Sequence, residues 1–189
     1  MRYIPTLQWV NQGLPALLAG FVCFCLASFP IHAEQYQSET DFLAEVFSDS
    51  PPAPQSLWIT GERKQVTADI LQHAPAKLRQ RYWQQGQRSA WIMEEIGKEK
   101  PITVGLVVNN GELERVKVLA FRESRGWEVR YPFFVKQYNG LSLKGDNGLS
   151  RSIDNITGAT LSVRAVTKLA RLALIYHADI SNNVPQPSR

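Results

Sequence analysis

Apolar residues recur at helical spacing most regularly near the end of the chain. In SVRAVTKLARLALIYH, Val163, Val166, Leu169, Ala170, Ala173, Tyr176 and His177 fall at i, i+3, i+4 and i+7 intervals, while Arg164, Lys168 and Arg171 hold the other face. That pattern predicts an amphipathic helix with one face in a core. From Ser89 to the hairpin the periodicity is different. SAWIMEEIG predicts a strand, and ITVGLVVNNGELERVKVLAF predicts a hairpin with Asn110-Gly111 as its tight turn. Nearer the start, SETDFLAEVFSD predicts a short helix: Ser38 and Asp41 stand at capping-box spacing, and Phe42, Leu43, Val46 and Phe47 form its stripe. SPPAPQS ends it, and Leu57, Trp58 and Ile59 open a short strand. Gly61 to Gln72 reads as a second helix with Val66, Ile70 and Leu71 inward and Pro75 closing it. The basic piece KLRQRYWQQGQR, with Tyr82 and Trp83 interleaved, reads as a solvated helix or strand end rather than a nucleic-acid contact.

Helices first, then a hairpin, then a helix, give an α+β class: an antiparallel twisted sheet with flanking helices. Between the hairpin and the last helix lies a long irregular stretch containing Gly126, Pro132, Gly140, Gly145 and Gly148. Structureless loops of that length inside a compact domain are functional or disordered. This one carries Trp127, Tyr131, Phe133, Phe134 and Tyr138, a composition that argues against disorder.

The first residues change the picture of where the chain works. Arg2 precedes an apolar run from Leu14 to Phe29, Pro30 breaks it, and Ile31 and Ala33 occupy the −3 and −1 positions of a signal-peptidase site before Glu34. Residues 1–33 are therefore expected to be a signal peptide directing the protein to the periplasm. The alternative is an anchor on the outer face of the inner membrane formed by residues 14–29. The 189-residue chain is 44% hydrophobic and 20% charged with a net charge of +4, ordinary for a folded domain and no argument for nucleic acid as a partner. Its two cysteines, Cys23 and Cys25, both lie in the apolar run. An exported domain without them has no disulfide, thiolate catalyst, iron–sulfur cluster or thioether-linked haem. The histidines are scattered: His32 leaves with the signal, His73 stands beside Pro75, and His177 is expected to end a helix where a cation is welcome. With no Ser/His/Asp spacing and no P-loop, chemistry would have to be carried by an added group.

IDNITGATLS is the stretch that suggests which group. Thr160 stands at the entrance of the last helix, where a hydroxyl ordinarily accepts a backbone N–H as a cap. It is also placed to receive a phosphate, with the free N–H groups around Leu161 to Val163 pointing at the oxygens. Gly158 permits a positive φ or close approach, and Ala159 keeps the approach open. Asp154, six residues earlier, either positions a metal ion during phosphoryl transfer or caps a turn.

DNITGAT, with Asp154, Thr157, Gly158, Ala159 and Thr160, resembles the flavinylation motif of the FMN-binding domain family, which includes the periplasmic flavin subunits of the Rnf and Nqr redox complexes and stand-alone exported proteins. The resemblance places the domain at 81–178, after a helical N-terminal extension at 34–80 and before a flexible tail at 179–189. It implies a flavin site at the N-terminus of the last helix. There a flavin transferase cleaves FAD and attaches FMN through its phosphate to Thr160. It also implies that Glu123, Ser124 and Gly126 line the flavin. Trp127 either covers one face of the isoalloxazine or packs as ordinary core. The implied function is an exported electron carrier handing electrons to or from a membrane redox partner or another carrier. Two other readings stand beside it: a periplasmic flavin-dependent reductase of a small acceptor, and a binding module in which TGAT merely caps a helix.

Overall fold

A computed structural model describes residues 34–182; the readings placed on residues 1–33 and 183–189 lie outside them. The described chain begins with a short strand β1 (Glu34–Gln35), then α1 (Glu39–Val46), β2 (Gln55–Trp58) and α2 (Gly61–Leu71). Four longer strands follow: β3 (Arg79–Gln85), β4 (Arg88–Ile96), β5 (Pro101–Asn109) and β6 (Glu112–Phe121). After β6 come a 3₁₀ turn (Trp127–Arg130), the one-turn α3 (Pro132–Val135), a second 3₁₀ turn (Lys136–Tyr138) and the long α4 (Thr160–Asn182). The strands form one six-stranded sheet in the order β1-β6-β5-β4-β3-β2, every pair antiparallel. This is the expected α+β architecture. The expected extension at 34–80 puts both of its strands into that sheet, β1 against β6 and β2 against β3.

The hairpin forms where the Asn110-Gly111 turn and its β-branched flanks placed it. Asn110 and Gly111 take φ of 50° and 78°, the left-handed pair of a type I′ turn whose twist matches the strands it joins. Strand β5 is buried on both faces, which is why TVGLVV reads as a continuous apolar run rather than an alternation. One face packs on α2, α4 and the loop after β6, through residues such as Leu106, Phe134, Tyr138, Val166 and Leu169. The other is covered by α1, whose Phe42, Leu43, Val46 and Phe47 meet Trp83, Ala90, Val107 and Leu119. Ser38 starts α1 as expected, its Oγ accepting the Asp41 N–H at 3.0 Å. Gly105 makes room for α1: a Cβ there would come within 2.6 Å of the Phe42 ring. Burying one such ring is worth about 1.5–3 kcal/mol, so the small residue on β5 matters.

Two readings change. KLRQRYWQQGQR is not a solvated end but contributes β3, an interior strand between β4 and β2. Tyr82 stacks on Trp91 at 4.9 Å between ring centroids in the main core, while Trp83 turns to the α1 face. The charges that suggested solvent sit at the open end of the strand, where Arg81 pairs with Glu39 of α1 at 2.8 Å. The last helix runs past Ala178 to Asn182, so His177 lies inside it rather than at its end. Its Nδ1 is 2.8 Å from the Ser89 hydroxyl, which also accepts the Trp91 indole N–H. Burial pushes the His177 pKa below the ordinary imidazole value, and the ring is a neutral core group rather than a dipole-stabilised cation. Among the described residues no helix is long and apolar enough to cross a membrane.

Candidate functional site: a cleft at the entrance of the last helix

Three segments converge at one end of the sheet: the β4–β5 turn, the loop leaving β6, and the junction into α4. Between them is an open cleft of ≈ 570 Å³ lined by Lys98, Glu123, Ser124, Arg125, Gly158, Ala159, Thr160, Leu161 and Ser162. Pockets of a few hundred Å³ with a small set of convergent polar groups are the usual form of cofactor sites.

The junction is built by a tight turn. The Ala159 N–H donates to the Ile156 carbonyl at 2.9 Å, closing a turn whose third residue, Gly158, has φ +84°. A side chain resists that conformation, which explains glycine before the helix. The Ala159 carbonyl then accepts the Val163 N–H at 2.9 Å, the first rung of the helical ladder. The N–H groups of Thr160, Leu161 and Ser162 precede that rung and have no acceptor within the helix. The free donors are thus one residue earlier than the expected Leu161–Val163 set, because Val163 is already engaged. Thr160 is the first helical residue, and its Oγ1 accepts a hydrogen bond of 2.9 Å from Asn155 Nδ2. The hydroxyl is held from outside the helix.

The β6 loop is pressed against this junction. Gly126 is buried at φ +86°, and a Cβ on it would run into Ser162 Oγ. Glu123 works on the other side. Its Oε1 accepts the backbone N–H groups of Lys98, Glu99 and Lys100 at 2.5, 2.7 and 2.9 Å. Burial, the largest single influence, raises its pKa, but the three N–H donors and the Lys98 charge together outweigh it and hold the carboxyl below the ordinary glutamate range. Gly97 permits this, since a Cβ there would sit 3.0 Å from the same oxygen. Glu123 therefore borders the cleft while fixing the β4–β5 turn, which places Lys98.

The structure brings Glu123, Ser124, Gly158, Ala159 and Thr160 together in the lining. It does not bring Gly126, Trp127, Asp154 or Thr157 into it. Gly126 acts from behind, as a spacer. Trp127 is 41% exposed, with its ring edge-on to Tyr131 at 5.6 Å. Asp154 and Thr157 are exposed, and the Asp154 N–H donates to Gln137 Oε1 at 2.8 Å. Sequence reasoning missed Lys98, Arg125 and Asn155. Asn155 alone left a local trace, being inside DNITGAT; the others reach the cleft only through the fold.

Chemically the cleft offers three backbone N–H groups at a helix N-terminus, two cationic side chains and a positioned hydroxyl. That donor set fits a phosphate monoester or diester, and the exposed apolar side chain of Leu161 adds a surface for a flat ring. Among protein families, residues 97–175 match the FMN-binding domain. The match begins at the turn clamped by Glu123, ends within α4 and encloses every residue of the cleft lining. No curated protein and no solved structure gives a match. The segment 97–175, cleft included, is similar to the FMN-binding domain, and that match supports FMN as a cofactor.

Proposed function

We propose that this protein is an exported electron carrier holding FMN covalently through a phosphoester to Thr160. The observation that carries the reading is the placement of Thr160 Oγ1: on the lip of the cleft, hydrogen-bonded by Asn155, beside three N–H groups the helix does not use. FMN bound there would supply one- and two-electron redox chemistry to a domain with no such group of its own.

Each residue then has a task. Thr160 supplies the nucleophile: its Oγ1 forms a new P–O bond at the FMN phosphorus of FAD, the pyrophosphate P–O bond breaks, AMP leaves, and the hydroxyl proton is released. A flavin transferase catalyses that exchange. Asn155, as a donor, suits both the hydroxyl and the ester oxygen that replaces it, and it orients the attacking lone pair. The N–H groups of Thr160 to Ser162, with Lys98 and Arg125, hold the phosphate negative charge. Asp154 and Thr157, exposed and outside the lining, are left for the transferase and its metal ion to engage. Export rests on the N-terminal run and its small-residue site, and it brings the domain to the compartment where an extracytoplasmic transferase and a membrane redox partner would meet it.

Co-production with an FAD-using flavin transferase tests the proposal. The denatured, desalted protein should keep a flavin absorption band, and Thr160→Val should lose it. A Thr160→Val protein that stays yellow after denaturation overturns the assignment.

A further inference from the structure

One residue clips the DNITGAT loop from outside, and we infer that Gln137 is a positioning residue for flavin attachment. It holds Asp154 and Asn155 where the transferase and Thr160 need them. The inference rests on the proposed attachment at Thr160 and adds a residue that lies outside both the motif and the cleft lining. Gln137 belongs to the second 3₁₀ turn. Its Oε1 accepts the Asp154 backbone N–H at 2.8 Å, and its carbonyl accepts Arg151 Nη2 at 3.0 Å. Side chain and main chain of one residue thus grip the loop on either side of Ser152 and Ile153.

The clip is mounted on a firm base. The neighbouring Tyr138 is fully buried, its hydroxyl 2.8 Å from Thr167 Oγ1 on α4 and its ring edge-on to Phe134 at 5.6 Å. Within the loop, Ile153 and Ile156 are half-buried against the main core, while Asp154 and Asn155 between them are exposed. Burial of the two isoleucines fixes how deep the loop sits. It leaves the orientation of the exposed pair to polar contacts, and the Gln137 bond to Asp154 is such a contact.

The next residue carries the connection onward. Asn155 Nδ2 donates to Thr160 Oγ1 at 2.9 Å, so hydrogen bonds at two consecutive residues link the second 3₁₀ turn to the hydroxyl. The Asp154 carboxylate makes no hydrogen bond or ion pair among the described residues. Held at its backbone and free at its side chain, it is presented to something outside the domain. The transferase of the proposed reaction brings a metal ion, and a lone carboxylate suits one. A partner that needs one loop conformation binds more weakly in proportion to the time the loop spends elsewhere. Losing one hydrogen bond of ordinary strength changes that fraction by about three- to tenfold. Loss of the clip should therefore act on the transferase's KM for this protein and leave kcat in place.

The test follows initial rates of flavin attachment against the concentration of unflavinylated full chain, with an FAD-using flavin transferase fixed and FAD saturating. Gln137→Met removes the acceptor at nearly the same side-chain length. We expect its KM to rise about three- to tenfold with kcat held within about twofold. Amide exchange at Asp154 should speed up, and the urea midpoint should not move. Gln137→Glu keeps an acceptor oxygen and should bring back both the slow exchange and the natural KM. A Gln137→Met protein with the natural KM overturns the proposal, as does a Gln137→Glu protein that restores neither property. Loss of attachment together with a lowered urea midpoint also overturns it, because the residue would then serve the fold alone. A natural chain that accepts no flavin removes the Thr160 reading and this proposal together. A loaded natural chain beside an equally reactive Gln137→Met removes this proposal alone.

Discussion

Removing the Glu123 carboxylate should loosen one wall of the cleft while leaving the sheet standing. One oxygen, Oε1, accepts three backbone N–H groups from the β4–β5 turn. A hydrogen bond to a charged group is worth about 1.5–3 kcal/mol, but three sharing one oxygen do not add, and the freed N–H groups lie at the surface where water replaces part of the loss. Glu123→Ala should therefore cost about 2 kcal/mol, a fall in Tm of about 4–8 °C for a domain of this size. Glu123→Gln keeps an acceptor oxygen and should cost about half as much. The pH dependence follows from the sign of the shift. The folded pKa of Glu123 is depressed, so its contribution is present above the ordinary glutamate value and disappears as pH falls through the folded one. Natural and Glu123→Gln proteins should thus converge in stability on acidification. Urea unfolding across that acid range, with amide exchange at Lys98, Glu99 and Lys100, measures both effects. An Ala variant of unchanged stability and unchanged exchange in the turn would refute the clamp.

Three further outcomes follow from the geometry. Gly126→Ala should cost about 2 kcal/mol or more, because the left-handed φ and the collision with Ser162 both act; Gly140→Ala, at φ +74° in open space, should cost only about 1 kcal/mol, and equal urea midpoints for the two variants would deny the close approach. Asn155→Ala should slow FMN attachment by about ten- to a hundredfold while shifting the unfolding free energy by only about 0.5 kcal/mol, read as the attachment rate at fixed transferase alongside a denaturant melt. His73 donates to the Ala74 carbonyl and then to Glu95, which Lys168 also engages; the carbonyl contact first, then the carboxylate, raise its pKa above the ordinary 6.5. A raised folded value stabilises fully below the unfolded one and is lost as pH rises through the folded one, so the advantage of the natural protein over His73→Phe should shrink from pH 6.5 upward.

Much of this architecture is written in local pattern. Ser38 with Asp41 starts α1, Asn110-Gly111 closes the hairpin, and the Val163–Tyr176 stripe is the buried face of α4, because each depends on neighbours within one or two turns. β3 was not legible for the opposite reason. Its Arg and Gln residues look solvated in sequence, and only pairing with β2 and β4 shows that Tyr82 and Trp83 serve two separate cores. At the cleft, the DNITGAT loop marked Thr160, Gly158 and Ala159, since turn and helix entrance are local. Lys98 and Arg125 come from two different strand ends and meet Thr160 only in three dimensions. Glu123 shows a further limit: the family resemblance implied a place in the flavin lining, but not the turn its Oε1 holds.

Covalent attachment at Thr160 is tested most directly by fragmenting the peptide that trypsin releases between Arg151 and Arg164 from protein co-produced with a flavin transferase. That peptide also contains Ser152, Thr157 and Ser162, so the fragment ions choose among four hydroxyls in one spectrum. The account predicts the mass of FMN less one water on every fragment that retains Thr160 and on none that lacks it. The same added mass on Thr157, Ser152 or Ser162, or an unmodified peptide from protein that remains yellow when denatured, would contradict it.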